Sequence, residues 1–237
     1  MANLKGVERA QYVQEMFTQI APRYDLMNRL MTIGQDVVWR REVIHRAELP
    51  SEGWLLDLGA GTGDLGREAL SQQPGCRVVA ADFTLDMMRI GRQNMYTASQ
   101  EPLLAWCGAD ATRLPFPDRS FQAVVSGFLM RNVVNVRHSL SEQYRVLSPG
   151  GRIVILDTTP PPRTPLSPFI RFHLHTVIPT LGRWVAGNAD AYHYLPDSTE
   201  SFLEPEQLAA RLMAAGFREV GFQRLMLGTI AIHWGAK

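Results

Sequence analysis

The chain has 237 residues, 46% of them hydrophobic and 20% charged, with 24 basic against 23 acidic side chains for a net charge of +1. That length suits one domain with a small appendage, and the apolar share buries a sizeable core and excludes intrinsic disorder. A charge this near neutral leaves no footprint for nonspecific nucleic-acid binding, and two cysteines, Cys76 and Cys107, cannot build a disulfide framework.

The N-terminal MANLKGVERAQYVQEMF lacks the apolar core of a secretory leader, and no run reaches the ~18 uninterrupted apolar residues of a membrane span, so a globular, cytoplasmic protein is expected. Val7, Ala10, Val13, Met16, Phe17 and Ile20 recur at helical spacing and predict a helix over 7–31, which Pro22 breaks or kinks. A second helix is expected at about 35–47, after Gly34. From Gly53 onward, short apolar runs at 54–58, 77–81, 103–107, 123–126 and 152–156 alternate with amphipathic stretches near 64–72, 85–98 and 136–147. Strands alternating with helices predict an α/β fold: a doubly wound, mainly parallel sheet covered on both faces. Ser148-Pro149-Gly150-Gly151 marks a turn between the last of these helices and its strand. Pro160-Pro161-Pro162, with Pro165 and Pro168, reads as a stiff extended connection into an apolar stretch over 166–187. A helix over 205–215 ends at Gly216, and strands over 217–225 and 228–234 close the chain as an antiparallel hairpin, making seven strands.

The strongest single signal is Leu55-Leu56-Asp57-Leu58-Gly59-Ala60-Gly61-Thr62-Gly63-Asp64, a buried strand, a glycine-rich turn and a helix start. Such a turn lies at the carboxyl ends of the strands, where ligands bind, and its glycines let backbone approach the ligand. A dinucleotide fingerprint needs a third glycine where Asp64 stands, and a carboxylate there repels a pyrophosphate. Asp57 and Asp64 suit a ligand with positive groups, such as the ammonium and sulfonium of S-adenosylmethionine. A tight turn with Asp64 on the helix dipole would give the same pattern. Asp82, 19 residues beyond Gly63, ends the second strand and can accept from ribose hydroxyls. Asp110-Ala111 follows the third strand, where a carboxylate and a backbone amide can meet an adenine edge. Each acid alone is commonplace; three at successive strand ends are not.

On these residues the chain resembles a class I S-adenosylmethionine-dependent methyltransferase. It is similar, over about residues 12–235, to the ubiquinone/menaquinone biosynthesis C-methyltransferases of the UbiE/MenG type. The blocks that carry the likeness begin with Met16-Phe17, Ile20-Ala21-Pro22, Tyr24-Asp25-Leu26-Met27-Asn28, Gly34 and Trp39-Arg40-Arg41. Later come Leu114-Pro115-Phe116-Pro117-Asp118, Arg131-Asn132-Val133, Tyr144-Arg145-Val146-Leu147 and Pro149-Gly150-Gly151. Most specific are Tyr192-x-Tyr194-Leu195-Pro196-x-Ser198, Ala215-Gly216-Phe217, Gly228 and His233. The chain departs from the family pattern at Gln35-Asp36-Val37-Val38, Gly127, Phe128-Leu129-Met130 and Asp157-Thr158-Thr159. Cofactor-side positions are kept and acceptor-side positions have drifted.

The resemblance implies a Rossmann-like methyltransferase domain over 1–237, with a helical lid at 1–50, a cofactor-binding half at 51–158 and an acceptor-side half at 159–237. It implies S-adenosylmethionine held by Tyr24, Asp57, Gly59, Gly61, Thr62, Gly63, Asp82, Asp110, Ala111, Ser126 and Gly127. Arg131 and Asn132 are then the catalytic pair beside the transferring methyl, or Arg131 only orients a loop or pairs with an acid, and Asn28, Tyr192, His193 and Tyr194 meet the acceptor, a lipid quinol. His173, His175 and His233 read as structural, and His138 as a surface residue. No metal cluster stands out. The stretch 166–187 walls a channel for a prenyl tail, touching the membrane that holds it, or is a cover helix packed on the sheet, or both. Any membrane contact would be peripheral, weak and hydrophobic, and a homodimer is compatible with the family. Two other readings remain: a methyltransferase for another small phenolic acceptor, and a non-catalytic cofactor-binding protein. A nucleic-acid methyltransferase is disfavoured by Ser126-Gly127-Phe128 where base methylation would call for Asn-Pro-Pro-Tyr or Asp-Pro-Pro-Tyr.

Overall fold

The sheet is built from β1 (Trp54–Leu58), β2 (Arg77–Asp82), β3 (Leu104–Gly108), β4 (Phe121–Gly127), β5 (Leu147–Thr158), β6 (Arg218–Leu225) and β7 (Ile230–Ala236), in the order β3-β2-β1-β4-β5-β7-β6. The computed structural model describes residues 6–95, 103–186 and 189–237, excepting the side chains of Val7, Met95, Val185, Ala186, Ala189, Asp190, Ala191 and His193. β1 to β5 pair in parallel, and β7 runs antiparallel between β5 and β6. Strand order reverses between β1 and β4, which makes their carboxyl ends the topological switch point where open α/β sheets bind ligands.

Period-two alternation sends Leu55 to one face and Leu56 and Leu58 to the other. Helices α3 (Gln35–Arg46) and α4 (Asp64–Gln72) cover the first face through Trp39, Val43, Ile44, Leu65 and Leu70. Helices α6 (Val136–Val146) and α10 (Pro205–Ala214) cover the second through Leu140, Val146, Leu208 and Leu212. A third core stands apart from the sheet. There α1 (Gly6–Ile20) and α2 (Tyr24–Met31) bury Met16, Ile20 and Met27 against Ile170, Leu174, Ile178 and Tyr192.

The predicted 7–31 helix is two helices, with Pro22 inside a 3₁₀ turn at Ala21–Arg23. Helix α5 (Leu85–Met95) follows its prediction as far as it is described; 96–98 lie outside the described residues. Strand β5 begins at Leu147 rather than 152, because Ser148 to Gly151 form an irregularity opposite Phe121 and Ala123 instead of a separate turn. Of the 166–187 stretch, 187 lies outside the described residues and 167–186 is helical as α7 (Ser167–Phe172), a π turn (His173–Val177), α8 (Ile178–Leu181) and a second π turn (Gly182–Ala186). It packs on α1 and α2, not on the sheet. Helix α9 (Ala189–Glu200) had no counterpart in the sequence reading. The C-terminal hairpin turns through a 3₁₀ turn at Met226–Gly228. Among the described residues no helix is long and apolar enough to cross a membrane.

Candidate active site

A cleft of about 910 Å³ opens at the switch point, floored by Leu58, Gly59 and Gly61 after β1, Asp82 and Phe83 after β2, and Asp110 after β3. Gly59 and Gly61 hold φ of +69° and +57°, which side-chain-bearing residues rarely adopt; a Cβ on Gly59 would also sit 2.8 Å from Leu129. Asp82 fixes this loop. Its Oδ2 accepts the Gly61 N–H at 2.7 Å and its Oδ1 the Thr84 N–H at 2.7 Å. Burial pushes the Asp82 carboxyl up, and these backbone donors oppose the shift. Helix α1 roofs the cleft with Val13, Gln14 and Phe17, and Gln14 Nε2 donates to the Phe83 carbonyl at 3.1 Å.

Of the residues expected to hold the cofactor, Tyr24, Gly59, Gly61, Asp82, Asp110, Ala111 and Gly127 line this cleft, and Asp57, Thr62, Gly63 and Ser126 do not. Gly63 is glycine for packing, since a Cβ there would stand 2.6 Å from the Trp106 ring. Thr62 is buried and donates to Asp25 Oδ1 at 2.7 Å; Ser126 is buried in β4 with no partner for Oγ. Asp57 turns toward α4 and accepts the Gly66 N–H at 2.9 Å, its other oxygen buried and unpartnered. Burial drives its carboxyl up to about 7. Asp64 binds Arg67 and, at 2.6 Å, Arg40, which also holds buried Asp36 at 2.6 Å. The expectation that Asp57 and Asp64 present bare charge to a ligand is therefore corrected: one is disfavoured as an anion and the other is neutralised.

Next to the cleft lie a chamber of about 410 Å³, which shares Phe17 and Tyr24 with it, and a cavity of about 1130 Å³, which shares Phe128. Asn28 and Arg131 line both of the latter. Arg131 Nη1 lies 2.6 Å from Asp157 Oδ1. Asn132, on the cleft wall, accepts from Tyr194 Oη at 3.1 Å and donates to the Phe128 carbonyl at 3.1 Å. Tyr192 and Tyr194 line the chamber; the Tyr192 hydroxyl is buried without a partner, and burial pushes it up to about 12. The His193 side chain lies outside the described residues. Sequence reasoning missed Gln14, Phe83, Phe128 as a shared wall, and the Asp157 partner of Arg131. Only their places just after strand ends could have pointed to Phe83 and Phe128.

The ubiE/COQ5 methyltransferase family model matches residues 5–237. The chain is 45% identical over 225 residues to the ubiquinone/menaquinone biosynthesis C-methyltransferase UbiE of Desulfotalea psychrophila, covering 95% of this chain and 90% of that one. It is 44% identical to the demethylmenaquinone methyltransferase of Thermus thermophilus, covering 93% of this chain and 99% of that one. Among solved structures, the [4+2]-cyclase SpnF superposes with a TM-score of 0.72 at 16% identity, covering 96% of each chain. Phosphoethanolamine N-methyltransferase 2 of Haemonchus contortus, solved with S-adenosyl-L-methionine, superposes at 0.65 and 15% identity, covering 84% of this chain and 52% of that one. These last two likenesses establish the Rossmann-like fold. With a family model matched along nearly its whole length and curated relatives at this identity, the chain belongs to the ubiE/COQ5 methyltransferase family.

Proposed function

We infer that this protein is an S-adenosylmethionine-dependent C-methyltransferase of quinone biosynthesis, acting on a ring carbon of a polyprenyl quinol such as demethylmenaquinol or a related benzoquinol. The observation that carries this reading is the pairing of a strand-end cleft with a larger apolar cavity, the two divided by Phe128. The cleft fits the cofactor: two positive-φ glycines leave backbone bare, and the Asp82 carboxylate, held by backbone donors, lies on its floor. Asp82 would take the ribose hydroxyls, Asp110 and Ala111 the adenine edge, and the glycine loop the amino-acid end. S-adenosylmethionine supplies an electrophilic methyl group on a sulfonium. The protein aligns the acceptor carbon with it, which is catalysis by proximity and orientation. Arg131, held by Asp157, and Asn132, held by Tyr194, stand at the junction of the cavities to orient acceptor oxygens.

The prenyl tail would run through the larger cavity, which opens past Ile33, Leu166, Phe169 and Leu227. Ile33 is 81% exposed, Phe169 73% and Leu227 67%. Ile33 and Leu227 hold φ of +54° and +55°, strained for large side chains that gain no burial. Residues 158–189 contain no Asp or Glu but include Arg163, Arg171 and Arg183. We therefore place the enzyme in the cytoplasm, touching the membrane peripherally through this rim, with local basic charge that the whole-chain net of +1 conceals. Co-sedimentation with phosphatidylglycerol-containing vesicles tests the contact: Phe169→Glu should abolish it, and equal sedimentation of variant and wild type would refute it. Incorporation of labelled methyl into a reduced demethylquinol tests the reaction itself.

A further inference from the structure

The larger cavity has apolar walls, yet two buried polar atoms on it, Arg131 Nε and His173 Nε2, have no hydrogen-bond partner, and the Asn28 amide beside them meets the Tyr24 hydroxyl. A buried polar atom left unpaired forfeits its hydration without recompense, so their convergence on one cavity marks where a ligand's polar groups belong. Asn28 and Arg131 are more than nine-tenths buried. Two other histidines of this half of the chain differ from His173: His175 Nε2 lies 3.1 Å from Glu200 Oε1, and His233, whose Nδ1 is also buried without a partner, has Nε2 3.0 Å from the Pro205 carbonyl and away from this cavity's lining. The first π turn places His173. Pro179 has no N–H, and its ring would strike the carbonyl four residues back, that of His175; the helix widens over His173–Val177 just before it.

A phenol is methylated at carbon more readily once its hydroxyl gives up a proton to a group nearby, and the reaction as a whole releases one proton. Among the described residues lining this cavity and the chamber beside it there is no Asp or Glu. Besides His173 the walls offer an arginine, an asparagine, tyrosines, threonines and apolar groups. Of these side-chain types only histidine accepts a proton near neutral pH.

We propose that His173 is the general base: its Nε2 binds the acceptor hydroxyl next to the reacting carbon and takes its proton, while Arg131 Nε donates to an acceptor oxygen. This rests on the quinol reading above. As the O–H bond breaks, its electron pair enters the ring and the neighbouring carbon bonds to the methyl, the sulfur keeping the pair of the broken sulfur–methyl bond. That carbon then loses its hydrogen as a proton to water, the ring regains aromaticity, and His173 returns the first proton to oxygen. One proton reaches solvent per turnover.

The charged groups near His173 are Arg171 and His175 on its own helix and Glu200 on α9, within 4.0 Å of both, and Arg131, paired with Asp157, lines the same cavity. The test is His173→Gln, assayed with a short-chain reduced demethylnaphthoquinol. The expected result is a fall in kcat of about 10²–10⁴-fold, with KM and S-adenosylmethionine affinity nearly unchanged and the acid limb of the kcat–pH profile lost. A second readout needs no turnover: 4-nitro-1-naphthol bound to the cofactor-free enzyme should show a smaller ionised fraction, by visible absorbance, in the variant. If His173→Gln fails to bind S-adenosylmethionine, His173→Asn serves in its place. Unchanged kcat, pH limb and naphthol ionisation would overturn the assignment. A wild-type enzyme that methylates no quinol would overturn the acceptor reading instead, and the naphthol titration would still decide the role of His173.

Discussion

Arg131 and Asp157 meet at 2.6 Å in the interior, the arginine side chain 7% and the aspartate 1% exposed, and the Arg131 N–H donates to the same carboxylate at 3.2 Å. The pair ties the end of β5 to the connection after β4 and leaves Arg131, its Nε without a partner, on the wall of the larger cavity. Because both charges are desolvated, removing either strands the other. Asp157→Asn should destabilise the fold by about 3–5 kcal/mol, read as a lowered midpoint in urea. A midpoint equal to wild type would mean that the pair is not formed in solution.

Arg131→Ala addresses chemistry at the same junction. Turnover should fall by about two orders of magnitude while S-adenosylmethionine affinity, measured by calorimetry, stays near wild type. Normal turnover would leave Arg131 a purely structural role.

Asp82→Ala removes both the carboxylate expected to face ribose and the acceptor that fixes the Gly61 N–H. Its S-adenosylmethionine affinity should drop by about tenfold or more, since each lost charge-assisted bond contributes about 1.5–3 kcal/mol. An unchanged Kd would take Asp82 out of the binding site.

Asp57 sets a pH dependence. Its folded carboxyl sits at about 7, above the ordinary 3.8, so its contribution to stability is full below about pH 4 and is lost as pH rises through 7. Asp57→Asn escapes that loss. The gain in Tm over wild type should be near zero at pH 4 and largest above pH 8, worth at most about 4 kcal/mol. A gain independent of pH would show that burial does not hold the carboxyl neutral.

Tyr194→Phe deletes the hydroxyl that donates to Asn132 Oδ1 at 3.1 Å. The expected cost is about 1 kcal/mol, appearing in KM for the acceptor and not in cofactor affinity. An effect confined to the cofactor would move this bond to the other side of the site.

Much of the cofactor side was legible because it is local. The β1 run, its glycine turn and the acids after β2 and β3 carry their meaning within a few residues. The packing duty of Gly63 was not legible because the ring it accommodates, Trp106, comes from β3. Asp57 and Asp64 were misread because a carboxylate's charge depends on burial and on Arg40, 24 positions upstream of Asp64. Helix α9 hid behind Pro196, which ordinarily ends a helix and here sits inside one. The Arg131–Asp157 pair spans 26 positions, with helix α6 and most of β5 between, and no periodicity encodes it. His173 drew a structural reading because a lone histidine usually has a partner, and only the packed cavity reveals an unpaired Nε2.

The most direct test of the account is transfer of a ¹³C-labelled methyl group from S-adenosylmethionine to a panel of reduced demethylquinols by the purified enzyme, with the product read by NMR. The account predicts label in a ring C-methyl of a benzoquinol or naphthoquinol, and none on oxygen. Cofactor binding without transfer to any quinol carbon would contradict it.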